Sequence, residues 1–431
     1  MIEQLFMGQQ NGLPSGGKHY NGFTWIVDTN TAREACLVLG SEEVLGQGGK
    51  GSTKAPAKPI LTSSCPGWVC YAEKTHPYVL PYISKVKSPQ ALMGTLVKTT
   101  LSRILNISPD RIWHLAVMPC FDKKLEASRE ELTDAVWKEG SDGKPGKGIR
   151  DVDCVITSKE ILMLAASRGI DFFNLPKEAA VPQPPFPNQA IHKFLFPPKR
   201  NSRKPQQTAG AGTSGGNLHY ILHDVRSKHP ASQIQTTRGR NADVIEYAVI
   251  TAAGETVFKA ARYYGFRNIQ NLVRKLKPAK ASRMTGAARR PTGKSAGLDF
   301  AYVEVMACPG GCTNGGGQIK VDDPVVVDRK GLGEKAGPEE QKAWLAEVDE
   351  AYFSADEPDS RQDAEVNAEG LVAGVSPSHI HDTLESWSDI TSIDLDRLAY
   401  TSYREVVSDV GKQITDTERV IQLASKIGGG W

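Results

Sequence analysis

The sequence predicts an α/β protein of two lobes built on parallel sheets, followed by C-terminal helices. Three observations carry that expectation. Residues 22–170 alternate strand-like and helix-like signals, the pattern of parallel strands joined by crossover helices. Three short apolar runs each lead into a cysteine-bearing turn, and open α/β sheets place their sites at the carboxyl ends of strands. A Pro/Gly-rich break then separates this part from a second run of strand and helix signals starting near residue 242.

Taken in order, residues 1–21 are polar and Gly-rich and read as a disordered N-terminus. The first α/β lobe spans 22–176. Residues 58–62 read as a short buried strand ending at the first cysteine turn. Ser88 and Pro89 open a helix, with serine as N-cap and proline at the first helical position. Leu92, Leu96, Thr100, Leu101 and Ile104 fall on one face of it. Residues 111–118 form a second strand that delivers Cys120, and residues 152–156 a third. Thr157 and Glu160 have the spacing of a capping box for a helix over 161–167.

Residues 177–241 read as a Pro/Gly-rich insertion or linker, because 181–187 cannot continue a helix or a central strand and 209–216 is Gly/Ser-rich. A second α/β lobe follows over 242–330. It has strands at 244–250, 255–260 and 300–306, an amphipathic helix over 266–276, and a basic loop over 277–294 carrying Lys280, Arg283, Arg289 and Arg290. Residues 331–378 form an acidic segment, helical over 339–353 with Trp344, Leu345, Val348 and Tyr352 on one side, then loose and solvated over 356–369. The last part, 379–431, holds a helical pair over 379–387 and 393–407, packed back on the α/β core, and a tail.

Composition bounds the function. With 431 residues, 39% of them hydrophobic, the chain can bury a sizeable core. The 52 Lys and Arg nearly balance the 49 Asp and Glu, which argues against a general nucleic-acid binder. No run approaches the 18 apolar residues or so of a membrane span, and no membrane association is expected. The N-terminus lacks the apolar core of a signal peptide. Seven cysteines in such a chain read as metal ligands plus spares rather than a disulfide framework, and the cytosol is the expected compartment.

Four of those cysteines lie in three segments: Thr62-Ser63-Ser64-Cys65-Pro66-Gly67-Trp68, then Met118-Pro119-Cys120-Phe121-Asp122-Lys123-Lys124-Leu125-Glu126, then Glu304-Val305-Met306-Ala307-Cys308-Pro309-Gly310-Gly311-Cys312 running on to Gln318. Soft thiolates of this kind select iron–sulfur clusters, zinc or copper(I) over hard cations. Each cysteine follows a strand or a glycine turn, where the sulfur can project and backbone N–H groups can face an inorganic core. Two plainer readings stand beside this one: four buried structural cysteines, and a structural zinc site. Cys36, Cys70 and Cys154 lie outside the constellation. Cys154 reads as a core thiol, Cys70 as a packing residue on a helix beside the site, and Cys36 as a helix residue without a partner.

Together the three segments resemble the active-site motifs of iron-only hydrogenases. They resemble more closely those of the non-hydrogenase relatives, the cytosolic iron–sulfur protein assembly factors of the nuclear prelamin A recognition factor-like family. Residues 28–36 and 88–94 fit the same family. The resemblance implies an iron-only-hydrogenase-like large-subunit fold with a 4Fe–4S cluster in the cleft between two lobes. Its ligands are Cys65, Cys120, Cys308 and Cys312. It also implies a cytosolic cluster-assembly component without enzyme turnover, located in the cytoplasm with the nucleus as a further compartment. By resemblance it would bridge a P-loop NTPase scaffold and a WD40-containing targeting complex, and deliver clusters to apoprotein clients. The rival readings are an active iron-only hydrogenase and a zinc-stapled interaction protein.

Two departures from the family pattern refine this. Ser64 stands where catalytic hydrogenases carry a second cysteine that relays protons, and a hydroxyl does not ionise near neutral pH as a thiol can. Residues 1–58 contain only Cys36, so one cluster is expected and the family's second, N-terminal cluster is not; the region before the first motif reads as shortened or mis-assembled. Lys123 and Glu126 match the family's KxxE, where the resemblance implies contact with a diatomic iron ligand and proton handling; a surface ion pair is the plain alternative. Met118 and Met306 read as core packing. The terminal Trp431 is similar to a carboxy-terminal docking signal, with an inert frayed tail as the alternative.

Overall fold

The computed structural model describes residues 1–15, 22–47, 56–177, 183–197, 211–277, 298–331, 336–353 and 370–407. Its main sheet is laid down by strands far apart in the chain. Strand β1 (Ile60–Thr62) pairs in parallel with β7 (Tyr302–Met306), and β7 in parallel with β6 (Thr256–Tyr264). Two antiparallel strands, β5 (Val244–Ile250) and β4 (Gln233–Arg238), complete the order β1-β7-β6-β5-β4. A second, two-stranded parallel sheet joins β2 (Leu115–Met118) and β3 (Cys154–Thr157).

Because side chains alternate across a strand, each face of the main sheet takes every second residue. Leu61, Ala261, Tyr263, Val303 and Val305 pack under helices Pro66–Thr75 and Phe266–Leu276. Ile60, Phe258, Ala260 and Tyr302 face the other way, onto helix Asn217–Lys228. A third apolar cluster gathers helices Thr29–Leu45, Pro89–Leu105 and Pro377–Thr391 around Trp387, whose indole N–H donates to Thr99 at 2.9 Å.

Local signals placed several elements well. Ser88 accepts from the Ala91 amide as N-cap, and Thr157 with Glu160 forms both halves of the capping box. Strand β5 and helix Phe266–Leu276 have the expected bounds, with Ile269, Leu272, Val273 and Leu276 buried. On helix Pro338–Phe353, the four expected residues Trp344, Leu345, Val348 and Tyr352 are half-buried.

Elsewhere tertiary packing overrode the local reading. Residues 1–15 are ordered rather than loose: helix Ile2–Met7 buries Leu5, Phe6 and Met7 against Ile161 and Ala165. The supposed linker contributes to the core. Phe186, Ile191, Phe194 and Leu195 pack into the Trp387 cluster through helix Gln189–Leu195, and the same interval supplies helix Asn217–Lys228 and β4. The two lobes are not consecutive stretches, since β1 from the first is hydrogen-bonded to β7 of the second. Residues 109–111 form a 3-10 turn, so the second strand is shorter than expected, and Ile104 is 37% exposed beyond the buried face of its helix. Helix Leu395–Ala399 is short. Residues 400–407 then run as an extended strap, with the Thr401 amide on the Lys85 carbonyl at 2.8 Å and the Val406 amide on the Glu73 carbonyl at 3.0 Å. The expected basic loop, loose acidic stretch and tail lie largely or wholly outside the described residues. No helix among those described is long and apolar enough to cross a membrane.

Candidate functional site

Strands β1 and β7 are neighbours and parallel, with Thr62 opposite Glu304. Cys65 and Cys308 therefore leave the same end of one sheet. Cys65 is the N-cap of helix Pro66–Thr75, and its amide donates to Ser63 Oγ at 3.1 Å. Cys120 leaves the end of β2 in the other sheet, its sulfur accepting from the Asp122 amide at 3.4 Å. Cys312 follows Gly311, whose φ of 113° belongs to the left-handed region open to glycine.

Motif glycines close the gap between the two sheets. A Cβ on Gly67 would lie 2.4 Å from Asp122 Oδ2, and one on Gly315 would lie 2.5 Å from the Pro119 carbonyl oxygen. The missing side chains let the first and third segments seat directly on the turn that carries Cys120. Gly317 then donates its amide to the Pro119 carbonyl at 3.1 Å, and its own carbonyl accepts from Lys159 at 3.2 Å. Gly310 and Gly311 also take positive φ, at 74° and 113°.

The four thiols share one electrostatic environment. Burial pushes the Cys120 thiol up to about 11, with Cys65 and Cys312 adding to the shift. It pushes Cys308 up to about 12, with Cys65, Cys312 and Cys120 contributing in turn. Cys312 is also raised, first by burial, while the charges of Lys123 and Arg33 oppose the rise. Half-buried thiols that repel one another as anions ionise together only around a strongly cationic core. The donor set thus fits an iron–sulfur group held by Cys65, Cys120, Cys308 and Cys312. Among the described residues, no three His, Cys, Asp or Glu side chains gather tightly enough to hold a single metal ion. A lone zinc ion needs its sulfurs about 2.3 Å away.

Lys123 and Glu126 are not a surface pair. The Lys123 ammonium, on a side chain 9% exposed, lies 2.9 Å from Glu126 Oε2 and donates to Ser88 Oγ at 3.1 Å. Glu126 also accepts from Gln90 at 3.1 Å and from Ser88 at 2.8 Å. Beside this cluster lies a cavity of about 60 Å³ lined by Ser64, Cys36, Cys70, Lys87, Glu126 and strap residue Tyr403, among others. Cys70 is thus a cavity residue as well as a packing one. Cys36 has a partner, its thiol donating to the Lys87 carbonyl at 3.2 Å, and burial pushes it up to about 12. Cys154 is half-buried at the start of β3.

One supporting residue escaped the sequence entirely. Ser214 is buried, and its hydroxyl accepts the Cys312 amide at 3.0 Å. Thr213 bonds Thr313 at 3.1 Å, and Thr313 donates to Asp349 at 2.6 Å. The Gly/Ser-rich composition around 209–216 reads as a linker, so no local signal announces this role.

A family model for the iron only hydrogenase large subunit, C-terminal domain, matches residues 17–316. The cytosolic Fe-S cluster assembly factor NAR1 of Chaetomium globosum is 73% identical over 100% of this chain and 73% of its own length. The factor of the same name from Neurospora crassa is 70% identical over 100% of this chain and 74% of its own. The chain belongs to the iron-only hydrogenase-like family. Among solved structures, this hydrogenase-like chain is similar to an FeFe-hydrogenase with a TM-score of 0.58 at 20% identity, covering 90% of this chain and 86% of that one. An FeFe-hydrogenase of Chlamydomonas reinhardtii gives a TM-score of 0.56 at 21% identity, covering 90% and 86%. At that identity the likeness speaks for the fold: the hydrogenase-like α/β architecture with parallel strands is that of these neighbours.

Proposed function

We propose that this protein works in cytosolic iron–sulfur cluster assembly, holding one 4Fe–4S cluster on Cys65, Cys120, Cys308 and Cys312 and passing clusters on to cytosolic and nuclear apoproteins. What supports the reading is that Cys65 and Cys308 leave one end of the main sheet while the turn carrying Cys120 is joined to the third cysteine segment through Pro119 and Gly317, in a chain whose relatives are named for cluster assembly. When bound, the cluster supplies one-electron chemistry and sulfide-bridged iron. The chain's own residues supply the rest. The Asp122 amide donates to the Cys120 sulfur, Ser214 fixes the Cys312 backbone, and Lys123 and Arg33 bias the site toward negative charge.

We read the protein as a carrier rather than a hydrogenase, because Ser64 lines the cavity where a proton relay would need a thiol. Partners follow from the same reading: apoprotein clients, a WD40-containing targeting complex and a P-loop NTPase scaffold, in the cytoplasm and nucleus. The test is iron and acid-labile sulfide analysis of anaerobically purified protein, with a dye-coupled hydrogen assay. Four irons and four sulfides per chain and no hydrogen turnover are expected. Zinc in place of iron, or turnover abolished by Cys312→Ala, would overturn the reading.

A further inference from the structure

The chain is almost charge-balanced, with 52 basic and 49 acidic residues, yet one face of it is not. Helix Phe266–Leu276 contains no acidic residue, and Arg267, Arg274 and Lys275 on its polar side are exposed. The β4–β5 hairpin, just across from it, ends in exposed Arg238 and Arg240. None of these five cations forms an ion pair with a described residue. Lone surface cations are common, but here Arg240 and Lys275 line one concavity together and the other three lie on the same two elements, outnumbering Glu246 in the lining and Asp243 in the hairpin.

The concavity is open, and most residues lining it carry polar groups. Thr237, Arg240, Asn241, Glu246, Asn271 and Lys275 are among its lining residues. The helix covers β6 and β7 but leaves the same face of β4 bare, so Gln233, Gln235 and Thr237 point outward and are exposed. Among the described residues β4 pairs only with β5, and its outer edge keeps its backbone donors and acceptors open. Hydrogen-bonding side chains, an open strand edge and a cationic rim suit an extended acidic peptide that adds to the sheet. They suit a nucleic-acid strand less well, since the one aromatic lining the hollow, Tyr263, is buried and offers no stacking face.

We propose that β4 and the cationic rim formed by Arg238, Arg240, Arg267, Arg274 and Lys275 dock an acidic, extended segment of a partner protein by strand addition. The acidic side chains meet the rim while the segment's backbone pairs with β4. The hairpin end meets the third cysteine segment, where the Gly310 amide donates to Asp243 Oδ1 at 3.0 Å, so iron content is measured alongside binding in every variant.

The test uses the full chain, anaerobically purified, and a fluorescein-labelled decapeptide of alternating Glu and Thr, with a Lys/Thr peptide and a single-stranded RNA of equal charge as controls. Expected are saturable, salt-sensitive binding of the acidic peptide, loss of about tenfold or more in the Arg240→Glu, Lys275→Glu double variant, and slowed amide exchange in residues 233–238 on binding. Iron content and thermal midpoint of that variant check that it is folded; Arg240→Gln, Lys275→Gln should give a smaller loss. RNA binding as tight as the peptide, peptide binding indifferent to the charge reversal, or no added protection in β4 would each overturn the proposal. Binding seen only after deletion of the chain's own acidic stretch 356–369 would assign the surface to that stretch and overturn it as well.

Discussion

Glu73 is the pin that holds the C-terminal strap to the cavity wall, and removing it has a computable effect. Its buried carboxylate accepts both Arg129 nitrogens at 2.8 and 2.7 Å and the Arg404 amide at 3.1 Å, while its carbonyl accepts from Val406. In Glu73→Ala the Arg129 guanidinium, only 13% exposed, keeps Glu131 as its ionic partner at 3.5 Å. Stranding one member of a buried pair costs about 3–5 kcal/mol; with Glu131 still paired to Arg129 the cost falls at the low end, about 3 kcal/mol, and the lost acceptor for Arg404 adds about 1 kcal/mol. Hydrogen exchange of residues 400–407, followed by mass spectrometry, should accelerate by roughly a thousandfold, the equivalent of about 4 kcal/mol. Glu73→Gln keeps an acceptor oxygen and should lose less. The Glu73→Leu, Arg129→Met pair removes both charges and should regain much of the protection. Unchanged exchange in Glu73→Ala, or a double variant no better than the single one, would refute the claim that this ion pair anchors the strap.

Cys120→Ala and Cys312→Ala should each lower bound iron and raise protease sensitivity near the two sheet ends, because metal-binding free energy is in part folding free energy; full iron retention in both would displace the cluster from this site. Ile191→Ala, at a wholly buried position in the Pro-rich interval, should cost about 2–5 kcal/mol in denaturant unfolding, against almost nothing if that interval were a linker. Burial holds the His114 imidazole down at about 4, against an ordinary value near 6.5. The unfolded chain therefore binds the extra proton first, and stability should fall as pH drops from about 6.5 toward 4. The slope of stability against pH over that window should be shallower in His114→Gln, as read from urea midpoints; an unchanged slope would count against a neutral, half-buried ring.

What could be read from the residues was local or motif-borne. The cap at Ser88, the box at Thr157 and Glu160, and the apolar spacing of Ile269, Leu272, Val273 and Leu276 each satisfy a backbone or burial need within a few residues, so the sequence displays them. The candidate ligands were visible because cysteines wrapped in Pro and Gly are a poor match to any core pattern. Long-range pairing was not visible. Nothing near Ile60 says that its partner is Tyr302, and nothing in a Gly/Ser-rich stretch says that Ser214 will meet the Cys312 amide. Lys123 reads as exposed because charge in sequence does not reveal burial; its neighbours Ser88 and Gln90 come from another helix. Proline misled at 181–187 for a similar reason, since Phe186 within it and Ile191 just beyond it find partners in a helix nearly two hundred residues later.

The pairing of β1 with β7 has a consequence in time. Cys65 and Cys312, which share the site, are 247 residues apart in the chain. At synthesis rates of about 5–20 residues per second, roughly 10 to 50 s separate the emergence of the first thiol from that of the last. Throughout that interval the nascent chain offers no complete donor set, and parallel pairing of such distant strands is among the slower events in folding. Loading is then a step that follows translation and folding. With the ligands proposed here, the folded apoprotein is the species that receives the cluster.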